Sequence, residues 1–312
     1  MIFIISHRHQ LNQYNYLYCS SDFLPDSIPG LLFKLLSPKT KLISSFFLFA
    51  PSPFSKTNPY KSSFRIFVIG ILYWLIQKIT FPLISIFSDF VFVTSEPDRT
   101  IFNHFSSNRS KVITVRGGVE YIPTQKKISS LKPSTNRKFA AVFIGRLHHQ
   151  KGILKLIDIW QLVVAKYPSA KLAVIGNGPL ESEINIKIHK NDLSRNIKLL
   201  GFLSGTAKYQ IFQQSQMVLH PATYDSGGMA AAEAMAWGLP GISFDLESLK
   251  TYYPKGVIKI TCFNNQEFAD SIIQLLSNII LYNKLSIEAR QLIQKHWSWP
   301  KRANYIYSQI IK

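Results

Sequence analysis

The second half of the chain alternates between short apolar runs and helical periodicity. FAAVFIG (Phe139–Gly145) is a continuous apolar run that stops at a glycine, as a buried parallel strand does. After it, Ile153, Leu156, Ile157, Trp160, Val163 and Val164 recur at the spacing of one helix face. KLAVIGNGP (Lys171–Pro179) is a second strand with a glycine-rich turn. A polar helix, IKLLGFL (Ile197–Leu203), another short helix and QMVLHP (Gln216–Pro221) follow. PGISF and GVIKI are further strands, and the residues after Asn264 read as helices. Strands alternating with helices predict right-handed βαβ units on a parallel sheet, an α/β fold. Ligands of such sheets bind at the carboxyl ends of the strands. The loops after Ile144, Ile175, Leu200 and His220 all fall on that edge.

The first half is less regular. NYLYCSSDF, TKLISSFFLFA, DFVFVTS and KVITVRGGVE read as strands, and LPDSIPGLLFKLL as a helix. Phe64–Val93 is strongly apolar but interrupted by Arg65, Lys78, Pro82 and Asp89. It predicts a long helix and then a buried strand, with membrane insertion as the competing reading. Gly117-Gly118 and the polar, Lys- and Ser-rich segment Pro123–Asn136 predict a linker. The expected division is an N-terminal domain over residues 1–124, a second domain over 125–297 and a final helical segment over 298–312.

The chain has 312 residues, 46% hydrophobic, enough for two cores. Its two cysteines, Cys19 and Cys262, are far apart, which argues against a disulfide framework or structural zinc and fits a cytoplasmic setting. The apolar run at the N-terminus is too short for a signal-peptide core. The formal net charge of +19 predicts an anionic partner: a nucleotide diphosphate, nucleic acid or acidic lipid. The cations are diffuse and no helix-turn-helix, zinc or RNP pattern is present, so no nucleic acid partner is expected. His7 and His9 lack partners at ligand spacing.

Chemistry concentrates in YDSGGMAAAEAMAWGLPG (Tyr224–Gly241). Asp225 and Glu233 stand eight positions apart around Gly227-Gly228 and a run of small residues. MAAAEAMAW forms a helix, stopped by Gly238 and Pro240. Its N-terminal amides face the ligand edge and favour phosphate or hydroxyl groups.

This pattern resembles the acid-x7-acid signature of family 4 (group 1) retaining glycosyltransferases, enzymes of the two-domain GT-B fold. GRLHHQKG (Gly145–Gly152), VIGNGP, LLGFLS, HPATYD and EAMAWGLP match the family in order and spacing. The resemblance implies two Rossmann-like domains facing a cleft. It implies transfer of a hexose from a UDP-, GDP- or ADP-sugar to a glycan or lipid-linked acceptor, with retention and without a cofactor. Arg146 and Lys151 would hold the diphosphate and stabilise the leaving group. Asp225 would contact the donor sugar, completing the catalytic set. Glu233 would accept from the ribose hydroxyls. Gly228, Met229 and Ala230 would offer amides, the base would lie near Gly201, Phe202 and Leu203, and Gly145 and Gly176 would admit the ligand to the backbone. No metal is expected, since the two cations supply the charge.

The chain departs from the family at four places. Asp225 stands where Glu is usual, and Gly227 where an aromatic residue is. Phe46, Phe47 and Leu48 occupy the place of a family His. No glycine precedes Gly30, so the N-terminal domain is expected to be shortened by about two βα units. A non-catalytic nucleotide-sugar-binding remnant is therefore the rival to an active transferase. The basic, apolar front half adds an anionic membrane surface as a partner, on the inner face.

Overall fold

The computed structural model describes residues 13–55, 64–105, 111–131 and 134–311. His7 and His9 lie outside them. The chain forms two compact units, one from Met1–Arg116 with Ala303–Lys312, the other from Gly117–Arg302.

The first unit runs β1 (Tyr16–Cys19), α1 (Leu24–Leu36), β2 (Lys41–Ser45), α2 (Phe64–Phe87), β3 (Phe90–Val93), α3 (Glu96–Phe105) and β4 (Lys111–Thr114). The four strands form one parallel sheet in the order β1-β2-β3-β4. All four residues of β3 are buried, as the apolar run predicts. Alternation sends Val91 and Val93 to a cluster with Phe46, Ile84 and Phe102, and Phe90 and Phe92 to one with Ile43 and Ile113. Ser95 opens α3: its hydroxyl donates to Asp98 Oδ2 at 2.6 Å and accepts from Asp98 N–H at 3.2 Å, a reciprocal cap.

The second unit runs α4 (Gln125–Ser129), β5 (Phe139–Ile144), α5 (Ile153–Lys166), β6 (Leu172–Ile175), α6 (Glu181–Lys190), β7 (Ile197–Leu199), α7 (Gly205–Gln213), β8 (Ser215–His220), α8 (Met229–Met235), β9 (Gly241–Phe244), α9 (Glu247–Tyr252), β10 (Val257–Ile260), α10 (Asn265–Ser277) and α11 (Ile279–His296). Its six parallel strands are ordered β10-β9-β8-β5-β6-β7. The order reverses at β5/β8, so the loops after β5 and β8 frame the switch point where α/β sheets bind ligands. Ala141, Phe143, Met217 and Leu219 face α5, α6 and α10, while Val142 and Val218 face α8 and α11. The expected helix face of α5 is buried at Ile153, Leu156, Ile157, Trp160 and Val163. Each such side chain contributes about 1.5–3 kcal/mol by leaving water.

The segment expected to be a linker carries α4, capped by the Thr124 side chain accepting from Lys127 N–H. The division into units falls earlier, between Arg116 and Gly117. The last helix, α12 (Trp299–Ile310), belongs to the first unit from Ala303 onward. Ile306 and Ile310 pack on the Ile43, Phe90, Phe92 and Ile113 cluster.

Candidate functional site

Three loops meet at the carboxyl edge of the six-stranded sheet, and glycines allow it. Gly145 N–H continues the ladder to Ile175 O at 3.0 Å, and Gly176 N–H reaches Gly201 O at 2.8 Å. Gly176 adopts φ 139°, and a Cβ there would stand 2.0 Å from Gly145 O, so the two backbones touch. Leu147 is buried and pins the loop: its N–H donates to Asn177 O at 2.9 Å and its carbonyl accepts from Leu180 N–H at 3.2 Å. A 3-10 turn, His149–Lys151, follows and ends in left-handed Gly152. A Cβ at Gly152 would stand 1.9 Å from Pro221 O, which brings this turn against the end of β8.

That approach joins Lys151 to Asp225. Lys151 Nζ lies 2.5 Å from Asp225 Oδ2, and His220 Nε2 lies 3.1 Å from the same oxygen. The other oxygen, Oδ1, accepts from Gly227 and Gly228 N–H at 3.2 Å each. Burial disfavours the charge on Asp225, but the His220 ring and the Lys151 ammonium outweigh it and hold the carboxyl well below the ordinary carboxylate range. Asp225 is 6% exposed, so this carboxylate is turned inward and fully engaged.

The loop is fixed from α9 as well. Ser248 Oγ donates to Asp225 O at 2.5 Å, and Tyr253 OH donates to Gly228 O at 2.6 Å. Burial, with the nearby Asp225 charge, pushes the Tyr253 phenol up, so it remains a neutral donor. The Tyr252 ring lies over Gly227, where a Cβ would stand 2.9 Å from Cζ. Gly228 is left-handed at φ 56° and starts α8. Its N–H is committed to Asp225, so the amides that the mouth of α8 leaves for a ligand are those of Met229 and Ala230. Met229 lies against Gly117 in the same unit.

Glu233 stands on the second turn of α8, with 26% of its side chain exposed. Lys208 of α7 reaches it: Nζ to Oε2 is 2.8 Å, and the lysine side chain is only 10% exposed. Arg146 is exposed and forms no ion pair among the described residues. Phe202 is 71% exposed, Leu203 is half-buried, and Gly201 takes φ 66° with open space around it. The structure therefore joins Lys151, Asp225 and Gly228, and separately Gly145, Gly176 and Gly201. Glu233 pairs with neither Asp225 nor Lys151.

The sequence reading missed Lys208, His220, Ser248 and Tyr253. Lys208 looked like one of many diffuse cations. The His220 signal was legible, since a histidine ending a buried strand needs a partner. Among the described residues no three His, Cys, Asp or Glu side chains gather to hold a metal ion.

A parallel sheet whose carboxyl edge carries two cations, an acid-bearing glycine loop and a helix mouth suits an anionic ligand with a polar tail. Residues 124–292 match the family profile described as "Glycosyl transferases group 1". The chain belongs to the group 1 glycosyl transferases. Among relatives of this family, the poly(glycerol-phosphate) alpha-glucosyltransferase of Bacillus subtilis is 27% identical over 175 residues, 55% of this chain and 25% of that protein. The chain thus spans well under half of that relative. Two solved structures share the fold. Staphylococcus aureus TarM, solved as a variant with fondaparinux, alpha-GlcNAc-glycerol and UDP, is 20% identical with a TM-score of 0.72, over 99% of this chain and 58% of that one. Anabaena HepE, solved with UDP and glucose, is 16% identical with a TM-score of 0.75, over 99% and 81%. With its two parallel sheets, this group 1 glycosyl transferase has the α/β architecture of GT-B proteins.

Proposed function

We propose that this chain moves a hexose from a nucleotide-diphosphate sugar to an acceptor hydroxyl with retention, as a family 4 enzyme. The observation that carries the reading is the Lys151–Asp225 pair, with Arg146, which forms no ion pair among the described residues, on the same glycine-pinned loop as Lys151. An ammonium has three donors. Asp225 takes one and fixes the side chain, and two remain for a diphosphate. Arg146 adds a planar fork suited to the same group. Together they stabilise the charge that grows on the leaving nucleoside diphosphate. The amides of Met229 and Ala230 bind phosphate or sugar, and Glu233 accepts from the ribose. Asp225 acts here by positioning Lys151 and the Gly227-Gly228 loop. The base rests by Gly201–Leu203.

UDP is the first donor to test, because both structural relatives above were solved with it. The acceptor is a lipid-linked or cell-envelope glycan, in keeping with the name of the Bacillus subtilis relative. Both cysteines are free thiols, which suits the cytoplasmic side. Thermal-shift screening with UDP-, GDP- and ADP-sugars, followed by anomer-resolved product analysis, tests the reading. Stabilisation by one donor class and a product of retained configuration support it; inverted product rejects the retaining assignment.

One observation favours a second reading, a non-catalytic nucleotide-sugar-binding protein. Asp225 is buried with all its acceptor capacity used, so no carboxylate of the first acid position is offered to a sugar. That reading predicts donor binding without transfer or donor hydrolysis.

A further inference from the structure

Helix α2 carries its polarity inside out. Its inward face is Gly70, Gln77, Thr80, Ile84 and Ser85. Its outward face is aliphatic: Val68, Ile69, Leu72, Leu75, Ile79 and Ile86 are 37–59% exposed. These six recur at i, i+3, i+4 and i+7 and form one stripe. An ordinary surface helix places such a stripe against the core.

The inward face is no packing accident. Gln77 is buried, and its Oε1 accepts from Ala50 N–H at 2.6 Å. Its Nε2 lies 2.9 Å from Asp22 Oδ2, 2.9 Å from Leu48 O and 2.8 Å from Tyr73 OH. This network ties the middle of α2 to the loop after β2 and to the start of α1. By length and composition α2 is apolar enough to cross a membrane. A helix bonded along its middle to loop backbone cannot also be surrounded by lipid tails, so the stripe alone is left for an apolar medium.

Charge identifies that medium. Between Asp26 and Asp89 the chain has no acidic residue, and it has Lys34, Lys39, Lys41, Lys56, Lys61, Arg65 and Lys78. Arg65 and Lys78 are exposed; at about 100° per residue Lys78 falls on one rim of the stripe, and Arg65 continues the stripe's line at its N-terminal end, one turn before Ile69. Phe54, 73% exposed, stands beside Phe67 of α2 with ring centroids 6.4 Å apart. An aliphatic stripe with one cation on its rim, another at its N-terminal end and no carboxylate matches the headgroup boundary of an anionic bilayer.

We infer that α2 is an in-plane docking helix, which seats the first unit on an anionic lipid surface by Val68, Ile69, Leu72, Leu75, Ile79 and Ile86, with Arg65 and Lys78 on the headgroups. The inference does not depend on the transfer reaction.

The test is co-sedimentation of the full chain with phosphatidylcholine vesicles, with and without phosphatidylglycerol. Binding is expected only with phosphatidylglycerol and should weaken with salt. Ile79→Glu, and separately the milder Leu72→Gln, should each lower vesicle affinity about tenfold or more at unchanged unfolding temperature. Nucleotide-diphosphate affinity, read by calorimetry in the same variants, should be that of the wild type. Equal binding to neutral vesicles would refute the charge match. Absence of wild-type binding would refute the docking surface, as would a dimer in light scattering that Ile79→Glu dissociates without any vesicle binding, since a second copy would then cover the stripe.

Discussion

Lys151 Nζ stands 2.5 Å from Asp225 Oδ2, although 74 positions separate them in sequence. The pair is the stitch between the loops after β5 and β8. Asp225→Asn removes the charge from a buried site that keeps the Lys151 ammonium beside it, and should cost about 3 kcal/mol of stability, read by urea unfolding. Because the folded pKa of Asp225 lies below its unfolded value, its contribution is present above the ordinary carboxylate range and lost as the pH falls. Lys151→Ala should lower nucleotide-diphosphate affinity about tenfold or more, as expected for a lost charge-assisted contact.

Lys208 and Glu233 form a second pair at 2.8 Å, and the lysine is the more deeply buried partner. Lys208→Met keeps the stem packed and removes the ammonium. Glu233 is partly exposed and can turn to water, so a stability loss of only about 1 kcal/mol is expected. Donor affinity should fall further than stability does, because Glu233 loses its orientation. An unchanged affinity in a calorimetric titration would detach Lys208 from the site.

Two glycines on the ligand edge separate backbone strain from backbone crowding. Gly201 has φ 66° and nothing within 4 Å of a built Cβ. Gly201→Ala should cost about 1 kcal/mol, the left-handed penalty alone. Gly176 has φ 139°, and its Cβ would meet Gly145 O at 2.0 Å. Gly176→Ala should cost several times more, about 3 kcal/mol or above, because neither backbone can retreat without breaking the Gly145–Ile175 bond. Thermal unfolding of the two variants side by side tests this order.

Asp98 gives a pH dependence of opposite sign to that of Asp225. Burial pushes its carboxyl up to about 6, against the Ser95 hydroxyl that favours the charge. Between roughly pH 4 and 6 the folded chain holds this proton more tightly than the unfolded chain does. Stability from this group is therefore full below about pH 4 and falls as pH rises to about 6, by about 3 kcal/mol in all. Asp22, also raised by burial, acts in the same direction. Asp98→Asn should flatten most of that slope in unfolding measured across the window.

The strand-helix alternation from Phe139 onward was legible because β5, β6, β8 and β9 are almost wholly buried, and β5, β6 and β8 run directly into a glycine or proline. The resemblance to the group 1 family came from the same loops. Asp225 and Lys151 were each singled out, yet their contact was not, because it depends on how closely Gly152 approaches Pro221. Lys208 was invisible among 36 Lys and Arg residues until α7 brought it to Glu233. The apolar run around α2 was evident, but its inverted faces were not, since the sequence does not say that Gln77 points inward to Ala50 and Leu48. The stretch Pro123–Asn136 looked like a linker by composition, and Thr124 makes a helix there by capping it.

Calorimetric titration of UDP, GDP and ADP into the full chain and into Arg146→Ala is the most direct test of the site. The account predicts saturable binding of one of the three and a loss of about tenfold or more in the variant at unchanged unfolding temperature. Binding of none of the three, or equal affinity in the variant, would contradict it.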